Sequence, residues 1–119
     1  MILNADRPIY LQICDRICDD ILAGKYVEDD RIPSVRECAV LFEVNTNTAV
    51  KAYDNMAREN IIFNKRGLGY FVSSGAKSQI LDSRKRKFLE EQMPDLFRQM
   101  RLLGIDIDDI RHAWDSDTQ

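Results

Sequence analysis

Apolar residues recur along this chain at two different spacings, and each change of spacing marks a new element. Over residues 8–24 they repeat every fourth position, which predicts an amphipathic helix that faces a core. Pro8 suits the start of that helix and Gly24 suits its end. The repeat is carried by Ile9, Ile13, Ile17 and Ile21.

Two shorter helical patterns follow, separated by a tight polar turn. Residues 34–37 read Ser-Val-Arg-Glu, the sequence of a capping box, and predict the start of a second helix. The turn is predicted at residues 43–44. Either Asn45 or Thr46 can cap the third helix, which we expect to end near residue 60.

A short hairpin is predicted directly after the third helix. The residue types indicate strands at residues 61–65 and 69–73, joined around residues 66–68. The segment before the second helix is expected to be a loop in which residues 31–32 pair as a very short strand. Helix, turn, helix and hairpin in this order predict a mainly α fold with a small β-wing, a winged helix-turn-helix.

The C-terminal part is predicted to be helical and separate from the winged domain. The polar segment SSGAK suggests a hinge, with a winged domain at residues 1–75 and a helical appendage at residues 76–119. We expect two C-terminal helices there. The first is long, is kinked or split by Pro94 and stops at Gly104, and the second begins after Asp106.

The appendage has a wide apolar stripe but too few residues for an independent core. It must therefore pack on the winged domain of its own chain or on a second copy. We favour a symmetric homodimer, because a two-fold interface satisfies both copies at once. The predicted dimerisation residues are Phe88, Leu89, Met93, Leu96, Phe97, Met100 and Leu103.

Composition indicates a globular protein. The chain has 119 residues, of which 45% are hydrophobic and 31% are charged. No apolar window of about 18 residues is present, so we expect no membrane span. The N-terminus lacks a basic region followed by an apolar run, so we expect no secretory signal and a cytoplasmic location.

The formal net charge is −3, which by itself argues against a nucleic-acid partner. The charge is unevenly distributed, however. Residues 31–72 contain six Lys or Arg against four Asp or Glu, a local net charge of +2. This modest excess suits few phosphate contacts per subunit and predicts a shallow salt dependence of DNA binding.

The residues give little support to an enzyme. His112 is the only histidine, so no second histidine can complete a metal site or a nucleophile–base pair. The odd count of three cysteines argues against a disulfide framework. Cys14 and Cys18 lie four residues apart, and we favour small core residues over a metal or redox role. We expect neither catalysis, nor a metal, nor a cofactor.

The start of the third helix is the strongest candidate for reading DNA bases. A recognition helix presents its N-terminal residues to base edges in the major groove. Asparagine can pair with adenine there, and threonine offers a hydroxyl and a methyl group. Capping alone accounts for one or two of these side chains. The candidate base-reading residues are Asn45, Thr46, Asn47 and Thr48.

Five further residues are candidates for contacts with phosphates or groove edges. Lys51 lies one turn along the third helix, and Arg36 lies on the second helix, where it could reach phosphate or guanine. Lys65, Arg66 and Gly67 lie at the wing tip, where glycine permits close backbone approach and arginine can enter a minor groove. The alternatives are a solvated lysine, an ion pair of Arg36 with a neighbouring glutamate, and an ordinary hairpin tip.

Four segments together resemble the GntR family of bacterial transcription regulators. They are PIYLQI at 8–13, RIPSVREC at 31–38, VNTNTAVKAY at 44–53 and RGLGYFV at 66–72. The resemblance implies an N-terminal winged helix-turn-helix that binds DNA. About 45 residues follow the wing, too few for the larger effector domains, and this length resembles the YtrA subfamily, whose short C-terminal helices mainly dimerise.

The resemblance also implies where this chain contacts DNA. By position, the family's contacts fall on Arg36, on residues 45–48 with Lys51, and on Arg66 and Gly67. Many members have arginine where this chain has Thr46 and Val50. Because those arginines often read guanine, their absence implies an operator with fewer guanine contacts.

We therefore expect a sequence-specific regulator of transcription, a repressor, that binds double-stranded operator DNA as a homodimer. The alternative is a winged-helix adaptor that binds proteins rather than DNA, which the net charge of −3 favours and the polar helix start opposes. A small-molecule effector, where one exists, is expected at the dimer interface or in the groove between the winged domain and the C-terminal helices.

Overall fold

The structure is a computed structural model that describes residues 6–117. The chain divides into two compact units, one ending at Asp82 and one beginning at Ser83. The elements, in chain order, are α1 (Ile9–Leu22), α2 (Val35–Phe42), α3 (Thr46–Arg58), β1 (Ile62–Lys65), β2 (Gly69–Val72), α4 (Ala76–Lys87), a π-helical segment (Phe88–Gln92), α5 (Met93–Leu103) and α6 (Ile107–Asp117).

Helix α1 forms where the four-residue repeat predicts it. It begins directly after Pro8 and ends before Ala23. Its inner face is fully buried and includes the predicted isoleucines except Ile9, which lies in the first turn and is largely exposed. Cys14 and Cys18 are buried on the same face, and neither is joined in a disulfide, in agreement with the core interpretation. Burial raises the pKa of the Cys14 thiol to about 11.

The junction of α2 and α3 has the predicted capping geometry. The backbone N–H of Glu37 donates to Ser34 Oγ at 3.1 Å, and the Glu37 carboxylate accepts from the backbone N–H of Ser34 at 2.9 Å. Glu43 ends α2 in the left-handed conformation, with φ of 55°. Asn45, rather than Thr46, caps α3, because its Oδ1 accepts from the backbone N–H of Asn47 at 2.8 Å.

The wing is a two-stranded antiparallel sheet that a third short segment extends. Phe63 pairs with Phe71 and Lys65 with Gly69 across the two strands. Arg31 forms an isolated antiparallel bridge with Phe71 on the other side of β2, which confirms the predicted short strand before α2. The inner face of the wing, with Ile62 and Val72, is buried in the core of the first unit.

The first turns of α4 also belong to this core. Ala76 and Ile80 are buried against it, so the first unit extends beyond residue 75, where the sequence suggested a boundary. The polar hinge is the three-residue segment 73–75, which ends in a turn and is followed directly by helix. A glycine at position 75 with φ of +76° permits that change of direction.

The second unit contains the end of α4, the π-helical segment, α5 and α6. The predicted long helix is α4, the π-helical segment and α5 in succession. The backbone N–H of Met93 bonds to the carbonyl of Phe88, five residues earlier, in the wide turn that precedes Pro94. Gly104 ends α5 in the left-handed conformation, as predicted. Asp106 caps α6 by accepting from the backbone N–H of Asp109 at 2.9 Å.

None of the helices described in residues 6–117 is both long and apolar enough to cross a bilayer.

Candidate nucleic-acid interface

The first turn of α3 presents a polar, solvent-exposed surface. Asn45, Thr46 and Asn47 are exposed, and Thr48 is half-buried. The Asn45 carbonyl group is occupied by its capping bond, whereas its amide N–H₂ group is not used by that bond. The opposite face of α3 is firmly anchored, because Ala49, Ala52, Tyr53 and Met56 are all buried. The polar turn is therefore held on a rigid helix.

Lys51 extends this surface by one helical turn. Its side chain is exposed, and its Nζ lies 4.4 Å from the centre of the Tyr10 ring on α1. A cation above an aromatic ring is stabilised electrostatically, and only weakly when the pair is exposed to water. The ammonium group can therefore leave Tyr10 for a stronger anionic partner at little cost in free energy. Val50, beside Lys51, is 40% exposed and adds an apolar contact surface.

Arg36 on α2 is exposed, and no hydrogen bond or ion pair holds it among residues 6–117. The neighbouring Glu37 is engaged elsewhere. It accepts a hydrogen bond from the Ser34 backbone, and it lies 4.0 Å from the Arg31 guanidinium. The bonds to Ser34 are the main cause that lowers the pKa of Glu37 below its ordinary value. The alternative ion pair of Arg36 with Glu37 is therefore not formed.

The wing tip holds two cations with different environments. Lys65 Nζ lies 4.4 Å from the centre of the Phe71 ring, so this ammonium group folds back over the wing. Arg66 is exposed beside it. Gly67 has φ of +79°, a conformation that favours glycine in the tight turn, and Leu68 donates its backbone N–H to the Lys65 carbonyl. The turn thus presents Arg66 to solvent.

One cation on this surface was missed by the sequence analysis. Arg31 was assigned only to a short strand, yet its side chain lies on the wing beside Gly69 and near Glu37. The pairing of that strand with β2 shows where the side chain lies. Because Arg31 is opposite Phe71, the two side chains share one face of the sheet. Pattern alone could not show which strand edge the segment joins.

The remaining candidates for chemistry do not assemble into a site. Among the described residues, no group of three or more His, Cys, Asp or Glu side chains is placed to hold a metal ion. His112 is exposed on α6, and the three cysteines are buried in the first unit. The exposed polar start of α3, Arg36 and the wing tip are thus the candidate interface.

Comparison with known proteins identifies this arrangement. Residues 9–72 match the family model of bacterial regulatory proteins, gntR family, and this span covers α1 through β2. The chain belongs to the GntR family. It is a DNA-binding transcription regulator of that family, not an enzyme.

Similarity to individual GntR proteins extends beyond the winged domain. The chain is 35% identical over 111 residues to the transcriptional repressor YtrA of Bacillus subtilis (strain 168), which covers 93% of this chain and 84% of YtrA. A crystal structure of a GntR-family protein from Bacteroides thetaiotaomicron is 51% identical, with a TM-score of 0.80 over 91% of this chain and 94% of that one. The resemblance to the YtrA type is thereby confirmed.

Related structures include a complex with an operator. The DNA-binding domain of AraR in complex with the operator ORX1 is 28% identical, with a TM-score of 0.55, and matches 61% of this chain and 89% of that domain. The matching portion corresponds in length to the winged domain. The individual DNA contacts of the present chain remain predictions, as does its oligomeric state.

Proposed function

We propose that this protein is a homodimeric repressor of transcription that binds a two-fold operator in a sequence-specific manner. The observation that carries the proposal is the exposed, uncharged start of α3, held rigidly by the buried face of the same helix. Short polar side chains at a helix N-terminus match the way recognition helices read base edges. A dimer would place two such helices about one DNA turn, roughly 10 bp, apart.

In this proposal the side chains of the first turn of α3 contact the base edges. The side chains of Thr46, Asn47 and the half-buried Thr48 are not used to cap the helix, and nor is the Asn45 amide N–H₂ group, whereas the Asn45 side-chain oxygen is used for the cap. Asparagine can bond bidentately to adenine, and the threonine methyl can contact thymine. A site rich in A·T pairs at the positions under α3 is therefore expected.

The cationic side chains around α3 contact the DNA phosphates and the minor groove in this proposal. Arg36 is available for a phosphate because no protein group among the described residues holds it, and Lys51 can exchange the Tyr10 ring for an anion. Arg66 at the wing tip is placed to enter the adjacent minor groove. Gly67, without a side chain, allows the wing backbone to approach the DNA.

The apolar surface of the second unit supports the homodimer. Four of the predicted dimerisation residues, Phe88, Leu89, Leu96 and Leu103, are exposed, with exposed fractions between 42% and 72%. Met93 and Phe97 are half-buried, whereas Met100 is buried inside its own chain and is not available to a partner. Ile107 and Trp114 of α6 add 57% and 71% exposed side chains to the apolar surface. A surface of this kind on a soluble regulator is best covered by a second copy.

Repression follows in this proposal from occupancy of the operator, with the protein acting on chromosomal DNA in the cytoplasm. The similarity to YtrA, named as a transcriptional repressor, supports this choice over activation.

Selection of bound duplexes from a library of genomic fragments tests the proposal. We expect enrichment of an inverted repeat with half-sites about 10 bp apart. A matched variant, Thr46→Ala with Asn47→Ala, should lose this enrichment while keeping its fold, because neither side chain is needed to cap α3 or fill the core. Absence of enrichment at low salt for the parent protein would favour the protein-binding adaptor.

A further inference from the structure

Arg31 lies where the wing meets the start of α2. Its backbone pairs with Phe71 of β2, and the next residue, Ile32, donates its backbone N–H to the Tyr70 carbonyl at 3.0 Å. On the other side of β2, Phe71 pairs with Phe63. Residues that are directly opposite in a sheet share one face. Arg31 therefore projects on the outer face of the wing, the face that also carries both phenylalanines.

The same face continues toward the wing tip through Gly69 and Lys65. These two residues pair across the strands, and Lys65 Nζ lies over the Phe71 ring. The Arg31 guanidinium lies directly on Gly69, because a Cβ atom built there would be 3.1 Å from Arg31 Nε. Two cations, Arg31 and Lys65, thus flank one aromatic surface within the wing.

Two features of position 69 favour glycine over a residue with a side chain. Its φ of +111° is a backbone conformation that residues with a side chain rarely adopt. Its missing side chain also leaves the space that the guanidinium occupies. Gly69, the second glycine of the Gly-Leu-Gly tip, therefore leaves room for the Arg31 side chain, whereas Gly67 allows the backbone to form the turn.

Only a weak interaction restrains the charged end of Arg31. Its Nη2 lies 4.0 Å from Glu37 Oε1, and the two side chains are 57% and 62% exposed. Ion pairs of this length in water contribute little free energy. Glu37 is in addition committed to the N-cap of α2 through Ser34. The guanidinium can therefore exchange Glu37 for a stronger anion without disturbing either element.

We propose that Arg31 is a phosphate-binding residue of the DNA interface. Its guanidinium group binds the DNA backbone between the DNA segments contacted by α2 and by the wing tip. A guanidinium fork binds phosphate oxygens in a bidentate manner. Arg31 is anchored on one side to β2 and lies near Glu37, the neighbour of Arg36. The contact positions the wing on DNA but reads no base. This inference rests on the proposed operator binding.

The test measures affinity against salt concentration for the parent, Arg31→Gln, Arg31→Lys and the control Lys25→Gln. Lys25 is an exposed cation 4.0 Å from Asp20, outside the candidate interface. Each variant is measured with the selected operator and with an unrelated duplex of equal length. Arg31→Gln should flatten the slope of log affinity against log salt by about 0.9 for each bound protomer.

The same variant should weaken binding of both duplexes by a similar factor, about tenfold at low salt, because a phosphate contact carries no sequence information. Arg31→Lys should keep the parent slope, since it keeps the charge, and Lys25→Gln should not change it. An unchanged slope in Arg31→Gln would overturn the phosphate assignment. A loss confined to the operator with an unchanged slope would instead indicate a structural role for Arg31.

A second variant, Glu37→Gln, tests the proposal independently if Arg31→Gln does not fold. Glu37→Gln keeps a side chain able to complete the capping box but removes the charge that faces Arg31. It should tighten binding of both duplexes, and an unchanged affinity would contradict the exchange of Glu37 for phosphate. Failure of the parent protein to bind any duplex would overturn the proposed function itself, which is a distinct result.

Discussion

Tyr53 of α3 donates a hydrogen bond from its fully buried hydroxyl to the backbone carbonyl of Pro33, the residue before the N-cap of α2. The same ring meets Tyr70 of the wing edge-to-face, with ring centres 5.1 Å apart. One side chain therefore connects the proposed recognition helix, the start of α2 and the wing. The relative placement of these three elements depends on it, and DNA contacts from all three require that placement.

Replacement of Tyr53 by phenylalanine should destabilise the first unit by about 1 kcal/mol, because the carbonyl of the half-buried Pro33 loses its hydrogen-bond partner. Chemical denaturation followed by circular dichroism measures the change. Tyr10→Phe is the matched control, since that ring is half-buried and its contact with Lys51 needs only the aromatic face. Equal stability of the two variants would contradict the assigned hydrogen bond.

Alkaline titration should reveal Tyr53 separately. Burial is the main cause that raises the pKa of its hydroxyl above the ordinary value of 10.0. The folded protein thus holds this proton at a pH where the unfolded chain has lost it, so stability is present below pH 10 and falls as pH rises further. Absorbance of tyrosinate should show a late component that coincides with unfolding. That component should be absent from Tyr53→Phe.

Arg36→Ala should weaken operator binding about tenfold, or about 1.4 kcal/mol, and leave the thermal midpoint within a few degrees of the parent. The side chain is exposed and supports no interaction among the described residues, so its removal should not affect folding. Arg16→Ala is the control, an exposed arginine on α1 paired loosely with Asp20. Binding by fluorescence anisotropy that is equal for both variants would contradict the docking of α2 on DNA.

Local chemistry explains why much of the first unit could be predicted from sequence. Ser34 and Glu37 form a capping box that depends only on residues three apart, and both bonds are present. The choice between Asn45 and Thr46 as cap was open because either side chain can accept the bond, and backbone geometry decides for Asn45. Arg31 was missed for the opposite reason, since its role depends on pairing with Phe71, forty residues later in the chain.

In the second unit, the form of the helix break could not be predicted from the sequence. Pro94 was expected to kink or split a long helix, and the structure places a π-helical segment before it. Sequence pattern does not specify how many residues the wide turn takes, and this number sets which side chains share a face. Met100 differs from the prediction for another reason: it was grouped with the dimerisation residues, yet it is buried in its own chain, while Leu96 and Leu103 on the same helix are exposed.

Leu96→Asp should convert a dimer into a monomer, because a charge in an apolar interface is costly to desolvate. Leu96 is 42% exposed on α5, so part of its side chain is available to a partner. Sedimentation equilibrium or light scattering measures the mass. Val27→Asp is the control, since Val27 is 56% exposed on the first unit and outside the predicted interface. A dimer mass in Leu96→Asp would favour packing of the second unit within its own chain.

The π-helical segment has a consequence for changes of chain length. A π turn holds one residue more than an α turn, so loss of a residue from Phe88–Gln92 can be absorbed without ending the helix. Each residue of helix turns the chain by about 100°, and such a deletion would rotate α5 by that angle relative to the residues before it. Pro94 would then lie within a regular α turn, where its missing N–H and its ring are unfavourable. A relative with one residue fewer here should therefore also lack this proline.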